Sequence, residues 1–423
     1  MKRVLLLSLS NSGQKVCDQR INEFRSRQRL WNTPNLSLLT VGAMLPKDWE
    51  IHYVDLAYES VQEWTYDMVF MSPSTTQSQE AYGYACQFRD RGARIVMGGP
   101  HASVCPDEVL QYADVVFAGE AEDTMRQFLR EWSSLSQKKM YRASTHPDLG
   151  QSPVPLYSLA VKYPYSSIPI QWSRGCPHQC HFCSSSSIYG KRIRRKSLGQ
   201  LKAELEMIQK CWKRPFLFFT DDNLFIEEQS GTELLSLLQQ FRLDWYGFTD
   251  VSLYEKEKLC RQLRSSGCRK VLIGFESLNP ANLAAIQHTQ WKKRRLEQYW
   301  QAISVIQREG IGVIGSFVLG LDEDEASTFE RLYQFIYDSC LYGTNLTIAT
   351  PYPGTRYYEQ MKREGRLLTE DWSRYDGFTL VHSLPKMTRN VFMDAYDRLI
   401  ERINSTQRLQ HVVEYFKRIG ERA

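Results

Sequence analysis

The sequence predicts an α/β protein built in two units. Three observations carry this expectation. The chain has 423 residues, roughly two to three times the usual domain size. Short β-rich runs alternate with helix-length stretches along most of it. Small and polar residues gather directly after those runs, where open α/β sheets take ligands. With 42% hydrophobic and 12% aromatic residues, the composition is globular and excludes a disordered chain.

The first unit, residues 1–132, holds five strand candidates: "RVLLLSL", "WEIHYVDL", "DMVFMS", "ARIVMGG" and "ADVVFAGE". Separated by helix-length stretches, they predict a doubly wound parallel sheet of Rossmann/flavodoxin-like type. The loops after their C-terminal ends fall at Ser8 to Gly13, Ser72 to Thr76, Gly98 to His101, and Gly119 to Glu120. The basic N-terminus is followed by an apolar run of only Val4 to Leu7, too short for a signal segment, and reads as the first strand. No stretch approaches the roughly 20 apolar residues that span a bilayer, so a cytoplasmic protein without stable membrane insertion is expected.

Residues 133–165 break the pattern with the Pro- and Ser-rich "THPDLGQSPVPLY", a linker by composition. Alternation resumes over residues 166–366 with six strand candidates: "SIPIQWS", "PFLFFTDDN", "WYGFTD", "KVLIGFES", "GVIGSFVLG" and "TNLTIATPYPGT". Helical stretches lie between them at Leu198 to Trp212, Gly231 to Arg242, Lys256 to Ser266, Trp291 to Glu309, and Ser327 to Ser339. Six β/α units predict a partial (β/α)6 TIM-type barrel rather than a closed eight-fold one. The helical C-terminal segment, 367–423, puts Val391, Phe392, Ala395, Leu399, Ile400 and Ile403 on one helix face, which is expected to cover the barrel.

The net charge of +5 is small for this length and its bases are scattered among acids, which argues against a nucleic-acid partner. The densest basic run, Gly190 to Lys196, is either a contact for an anionic ligand or a solvated face.

"CPHQCHFC" places Cys176, Cys180 and Cys183 within eight positions, directly after the first barrel strand. The other cysteines, at 17, 86, 105, 211, 260, 268 and 340, have no paired spacing, and most are expected to be buried thiols. A structural zinc would need four protein ligands, with His178 or His181 as the fourth. Three unligated thiols so close would be prone to oxidation. A four-iron cluster held by three cysteines instead leaves one iron open for a small chelating ligand.

Spacing C-x3-C-x2-C, the aromatic Phe182 before the last cysteine, and six β/α units together resemble the radical S-adenosylmethionine (SAM) superfamily. The resemblance implies that Cys176, Cys180 and Cys183 ligate a 4Fe-4S cluster whose open iron chelates the SAM amine and carboxylate. Electron transfer then cleaves SAM to a 5′-deoxyadenosyl radical. It also implies SAM contacts at Thr220, Asp221 and Asp222 after the second strand and at Glu276 after the fourth. A flavodoxin- or ferredoxin-type electron donor follows from the same resemblance.

In the first unit, "TPNLSLLTVGAMLPKDWEIHYVDL", "SPSTTQ", "MGGPH" and "AGEAE" resemble the cobalamin-binding domain that precedes the barrel in one subfamily. The hydroxyls of Ser72, Ser74, Thr75 and Thr76, the backbone at Gly98 and Gly99, and the Gly119–Glu120 edge are the candidate cofactor contacts. Small residues there let a bulky ligand approach the chain. The loop "SLSNSGQK" lacks the Asp-x-His-x-x-Gly histidine that ligates cobalt in the older pattern, and His101 and Cys105 read as bystanders.

The function these resemblances imply is a cobalamin-dependent radical SAM methyltransferase acting on an unactivated carbon of a small molecule or lipid. The alternative is a radical SAM enzyme without methyl transfer, its N-terminal domain a scaffold; a non-enzymatic carrier is the third class. Trp372, Arg374 and Tyr375 are substrate candidates by position, against the reading that they pack the C-terminal segment.

Overall fold

A computed structural model describes residues 1–10, 33–133 and 138–420. Cys17, and the part of the "SLSNSGQK" loop from Asn11 on, lie outside the described residues.

The first unit forms a parallel sheet of six strands, β1 (Arg3–Ser8), β2 (Glu50–Asp55), β3 (Met68–Met71), β4 (Arg94–Met97), β5 (Val115–Ala118) and β6 (Met140–Arg142), in the order β2-β1-β3-β4-β5-β6. β3 and β5 are buried at every position, and so is β4 from its second residue on. That is why they read as continuous apolar runs rather than alternating ones. The helices α1 (Leu36–Met44), α2 (Ser78–Arg89), α3 (Gly99–Val104), α4 (Pro106–Val109) and α5 (Glu122–Ser133) connect them. The strand order reverses between β1 and β3, and ligands bind such sheets beyond the strand ends at that point.

One expectation is corrected here: the stretch 133–165 is not all linker. Met140–Arg142 pairs parallel with β5 through Val116 to Ala118. Three residues carry too little pattern to read as a strand, and the pairing is what orders them.

The second unit is a parallel sheet in sequential order, β7 (Ile168–Ile170), β10 (Leu217–Phe219), β11 (Trp245–Thr249), β12 (Cys268–Glu276), β13 (Gly312–Leu319) and β14 (Gly343–Ile348). Between β7 and β10 a short antiparallel ribbon of β8 (Ser173–Arg174) and β9 (Arg194–Arg195) brackets the cysteine loop and α6 (Ser184–Tyr189). The outer layer holds α7 (Leu198–Cys211), α8 (Glu228–Phe241), α9 (Glu257–Leu263), α10 (Pro280–Ala285), α11 (Trp291–Arg294), α12 (Tyr299–Arg308), α13 (Ala326–Asp338) and α14 (Arg356–Arg363). The helix expected over Trp291 to Glu309 is broken after Arg294 and restarts at Tyr299. The break lets Lys292 turn into the barrel, where its side chain is 6% exposed.

Two C-terminal helices follow, α15 (Arg389–Ile403) and α16 (Thr406–Gly420). Phe392, Ala395, Leu399 and Ile403 are buried as the period predicts, whereas Val391 is exposed. Phe392 packs edge-on against Phe329 of α13 at 5.5 Å. No described helix is long and apolar enough to cross a membrane.

Candidate active site

Two cavities lie at the C-terminal ends of the two sheets, and Asp222 lines both. The barrel cavity, about 380 Å³, is lined by Cys176, Cys180, Phe182 and Cys183 on one side and by β-strand residues on the other. Leu272, Gly274 and Glu276 of β12, and Ser316 and Val318 of β13, face it at every second position, as the strand period requires.

The cysteine loop is held in place from several sides. Gly175, at φ 101°, lies where a side chain would come within 2.3 Å of the Arg192 carbonyl, so only glycine lets the ribbon and loop approach. The Asp222 Oδ2 accepts from the Gly175 N–H at 3.0 Å. His178 Nε2 pairs with Asp250 Oδ2 at 2.8 Å, and Asn223 Nδ2 donates to the same oxygen at 2.7 Å. Burial works against the Asp250 carboxylate, but His178, Ser252 and Asn223 hold it well below the usual range. His178 is thus committed to Asp250, and the His181 ring packs on His288 at 4.9 Å. Among the described residues, the three thiols form no group with either histidine tight enough to hold a single metal ion.

All three thiols are free of disulfides. Burial pushes Cys176 and Cys180 up to about 12 and Cys183 in the same direction. Uncharged thiols suit these surroundings until a soft cation deprotonates them. The all-sulfur donor set with three members fits an iron–sulfur cluster with one open iron. The cavity also fits a polar ligand beside it: Asn223 Oδ1 and Thr249 Oγ1, both in its lining, are buried without a hydrogen-bond partner.

Glu276 and Asp222 line this cavity as expected from the sequence. Glu276 adopts φ 67°, a left-handed conformation that is costly for a non-glycine residue and clusters at functional sites. Its Oε1 lies 2.8 Å from Lys292 Nζ, which also donates to the Gly274 carbonyl at 2.5 Å. Burial opposes the charge on Lys292, yet Glu276 and Cys180 hold it above its ordinary range. Sequence reasoning missed Lys292 and also Asn223 and Asp250.

Asp221 does not line either cavity, contrary to the expectation. Its carboxylate accepts from the Trp172 and Ser173 N–H groups and from Ser173 Oγ, and burial pushes it up to about 6. It welds the end of β10 to β7 and β8. Thr220 lies in the lining of the other cavity.

That second cavity, about 390 Å³, is bounded by Ser72, Gly98, Gly99, Gly119 and Glu120 along the first sheet's edge and by Arg174, Ser185 and Asp222 across from it. Leu38, Val41, Phe70, Phe117 and Met125 form its apolar part. At Gly99, φ 83°, a side chain would meet Ser72 Oγ at 2.2 Å, so the bare backbone forms a cradle. No histidine lines this cavity among the described residues. A glycine-edged cradle with an apolar wall fits cobalamin bound without a histidine from this chain.

Ser74, Thr75 and Thr76 are corrected: they are outside the cavity lining because they form a 3-10 turn, Thr75–Gln77, capped by Ser74. Ser74 Oγ pairs with Thr76 Oγ1 and Gln77 Oε1, and Thr75 Oγ1 lies 3.4 Å from His101 Nδ1. His101 and Cys105 lie on the far side of α3, in a cluster with Glu108. Trp372 Nε1 donates to Glu108 Oε2 at 3.0 Å, and Tyr375 is buried with its hydroxyl on the Thr369 carbonyl. These two pack the C-terminal segment, and it is Asp376 and Gly377 that reach the barrel cavity. Three bases of the basic run are paired within the chain, Arg194 with Glu120, Arg195 with Glu227, and Lys196 with Glu204, while Lys191 and Arg192 are exposed.

A thiol-lined cavity at a partial barrel's mouth, sharing Asp222 with a glycine-edged cavity on a doubly wound sheet, defines an enzyme with two neighbouring cofactor sites. Residues 170–336 match the family model of the radical SAM superfamily, and residues 30–129 match that of the B12 binding domain. The chain thus carries a B12 binding domain ahead of a radical SAM domain. These two domains imply a 4Fe-4S cluster, SAM and cobalamin as the cofactors.

Among similar proteins, bacteriochlorophyllide d C-8(2)-methyltransferase of Chlorobaculum tepidum is 28% identical over 364 residues, 82% of this chain and 80% of the relative. Hopanoid C-2 methylase of Rhodopseudomonas palustris is 26% identical over 351 residues, 80% of this chain and 66% of the relative. The cobalamin-dependent SAM radical enzyme OxsB, with aqua-cobalamin and SAM bound, superposes with a TM-score of 0.72 at 13% identity, covering 100% of this chain and 71% of its own. The likeness to OxsB is one of fold.

Proposed function

We propose that the protein is a cobalamin-dependent radical SAM methyltransferase that methylates an unactivated carbon of a small molecule or lipid. The observation that carries this reading is that Asp222 lines both cavities. In this reading the substrate lies beside Asp222, between the two cofactor sites. Relatives named for methylation at C-8(2) of bacteriochlorophyllide and C-2 of hopanoid support a carbon acceptor.

When bound, the cluster and SAM supply a 5′-deoxyadenosyl radical and cobalamin supplies a methyl group. In this reading Cys176, Cys180 and Cys183 hold the cluster, and Phe182 shields it. Asp222 and Glu276 meet the SAM amine and ribose side, since carboxylates suit an ammonium and hydroxyls. Lys292 orients Glu276 and offsets thiolate charge near Cys180. Ser72, Gly98, Gly99 and Gly119 take the cobalamin edge. Residues 1–132 with β6 form the cobalamin domain, 166–366 the catalytic barrel, and 367–423 a cover that closes the cavity with Asp376 and Gly377. A cytoplasmic setting and a flavodoxin- or ferredoxin-type donor complete the reading.

The test is product stoichiometry from the reduced, reconstituted protein with SAM and candidate acceptors. Methylated product formed with both 5′-deoxyadenosine and S-adenosylhomocysteine is expected. 5′-Deoxyadenosine alone, across acceptors and with cobalamin present, sinks methyl transfer.

A further inference from the structure

The cysteine loop is tied to the first sheet by a buried set of charges. Arg174 ends β8, with one residue between it and Cys176. Its Nη1 donates to Glu120 Oε2 at 2.7 Å, its Nη2 lies 2.8 Å from Glu122 Oε1, and its Nε donates to Gln171 Oε1 at 2.7 Å. Arg194, on the paired strand β9, donates from Nη1 and Nη2 to the two Glu120 oxygens at 2.9 and 2.8 Å. Side-chain exposure is 2% for Glu120, 3% for Glu122 and 12% for Arg174, so these charges are desolvated rather than rim contacts. Two carboxylates stand against two guanidiniums, and His146 Nδ1 adds a contact to Glu120 at 2.8 Å.

Buried ion pairs give little net stability, because desolvation offsets the attraction; their best-attested use is to fix register. Here the planar fork of one arginine reads two carboxylates that sit after the end of β5 and at the start of α5, on the edge that bounds the cobalamin-side cavity. A lysine, with a single point charge, cannot hold both in one geometry.

We propose that Arg174 is a positioning residue that locks the thiol loop against Glu120 and Glu122 and so sets the separation between the two cofactor sites. The proposal rests on the methyltransferase reading above.

The test uses the full chain with Arg174→Lys or Glu122→Gln, reconstituted anaerobically and given SAM, hydroxocobalamin and a low-potential chemical reductant. Formation of 5′-deoxyadenosine requires the thiol loop and SAM; formation of S-adenosylhomocysteine by methylation of the added cobalamin requires both sites in register. Arg174→Lys is expected to keep the first within about twofold while lowering the second about tenfold, the equivalent of 1.4 kcal/mol; Glu122→Gln shifts the ratio the same way by less. Unchanged ratios in both variants, or both products falling in proportion, overturn the proposal.

If the parent itself makes no S-adenosylhomocysteine, it is the methyltransferase reading that fails. The lock is then read by backbone hydrogen exchange. Faster exchange at 119–122 and 175–183 in either variant, with β10 to β14 unchanged, supports it, and parent-like exchange overturns it. Should Arg174→Lys not fold, Glu122→Gln carries both readouts.

Discussion

The Asp222 carboxylate accepts a hydrogen bond from the Gly175 backbone N–H at 3.0 Å, tying the end of β10 to the residue before Cys176. The same side chain borders both cavities. Its two roles separate by substitution. Asp222→Asn keeps an acceptor for Gly175 and is expected to retain parent iron content, yet to weaken SAM binding about 10–100-fold through loss of a charge-assisted contact worth about 1.5–3 kcal/mol. Asp222→Ala also orphans the Gly175 N–H and is expected to lower iron incorporation. Iron analysis and equilibrium SAM binding read the two effects, and parent-like SAM affinity in Asp222→Asn would remove Asp222 from the SAM site.

Lys292 and Glu276 form a second pair to separate, 2.8 Å apart with side chains 6% and 12% exposed. Lys292→Met leaves the Glu276 charge buried and unpaired, and is expected to cost about 3–5 kcal/mol of unfolding free energy. Adding Glu276→Gln removes that charge and is expected to recover part of the loss. Urea unfolding of the two single variants and the double gives the coupling, and strict additivity would mean the pair does not interact.

Gly99 is the tightest point of the cobalamin-side edge. Alanine there is opposed by φ 83° and by Ser72 Oγ at 2.2 Å. Gly99→Ala is expected to cost about 1–3 kcal/mol in backbone strain and to lower cobalt retention while leaving iron unchanged. Equal cobalt in parent and variant would place the cofactor elsewhere.

His101 makes stability depend on pH. Burial lowers its pKa below the ordinary 6.5, against a smaller opposing effect of Glu108. The unfolded imidazole therefore takes up its proton at higher pH than the folded one. Between the two values the unfolded state binds more protons, so this contribution is fully present above pH 6.5 and is lost as pH falls toward the folded value. Urea midpoints at about pH 7.5 and 5.5 are expected to differ less in His101→Asn than in the parent. An identical slope in the two would assign the pH dependence to other groups.

The barrel strands were legible from apolar runs such as those of β10 and β13 and, in β14, from the alternation of Leu346 and Ile348, and the three thiols because their spacing is compressed into one loop. Lys292 was not legible: it stands 16 positions from Glu276 and reads as the polar face of a helix that in fact breaks at Arg294. Asp221 and Asp222 are equivalent in sequence, and only the turn after Phe219 sends one into the ribbon backbone and the other to the cavities. The hydroxyls of Ser74 to Thr76 read as ligand contacts because a capping turn and a binding loop share the same composition. Glu120, read as a cofactor contact, carries the ion pairs to Arg174 and Arg194, which no local pattern foretells.

The central claim is that one chain holds both metal cofactors. It is tested most directly by anaerobic reconstitution with iron, sulfide and hydroxocobalamin, followed by desalting and metal analysis, with Cys180→Ala alongside. About four irons and about one cobalt per chain are expected in the parent, with iron lost and cobalt kept in the variant. Four irons without retained cobalt would contradict the account and leave the first sheet a scaffold.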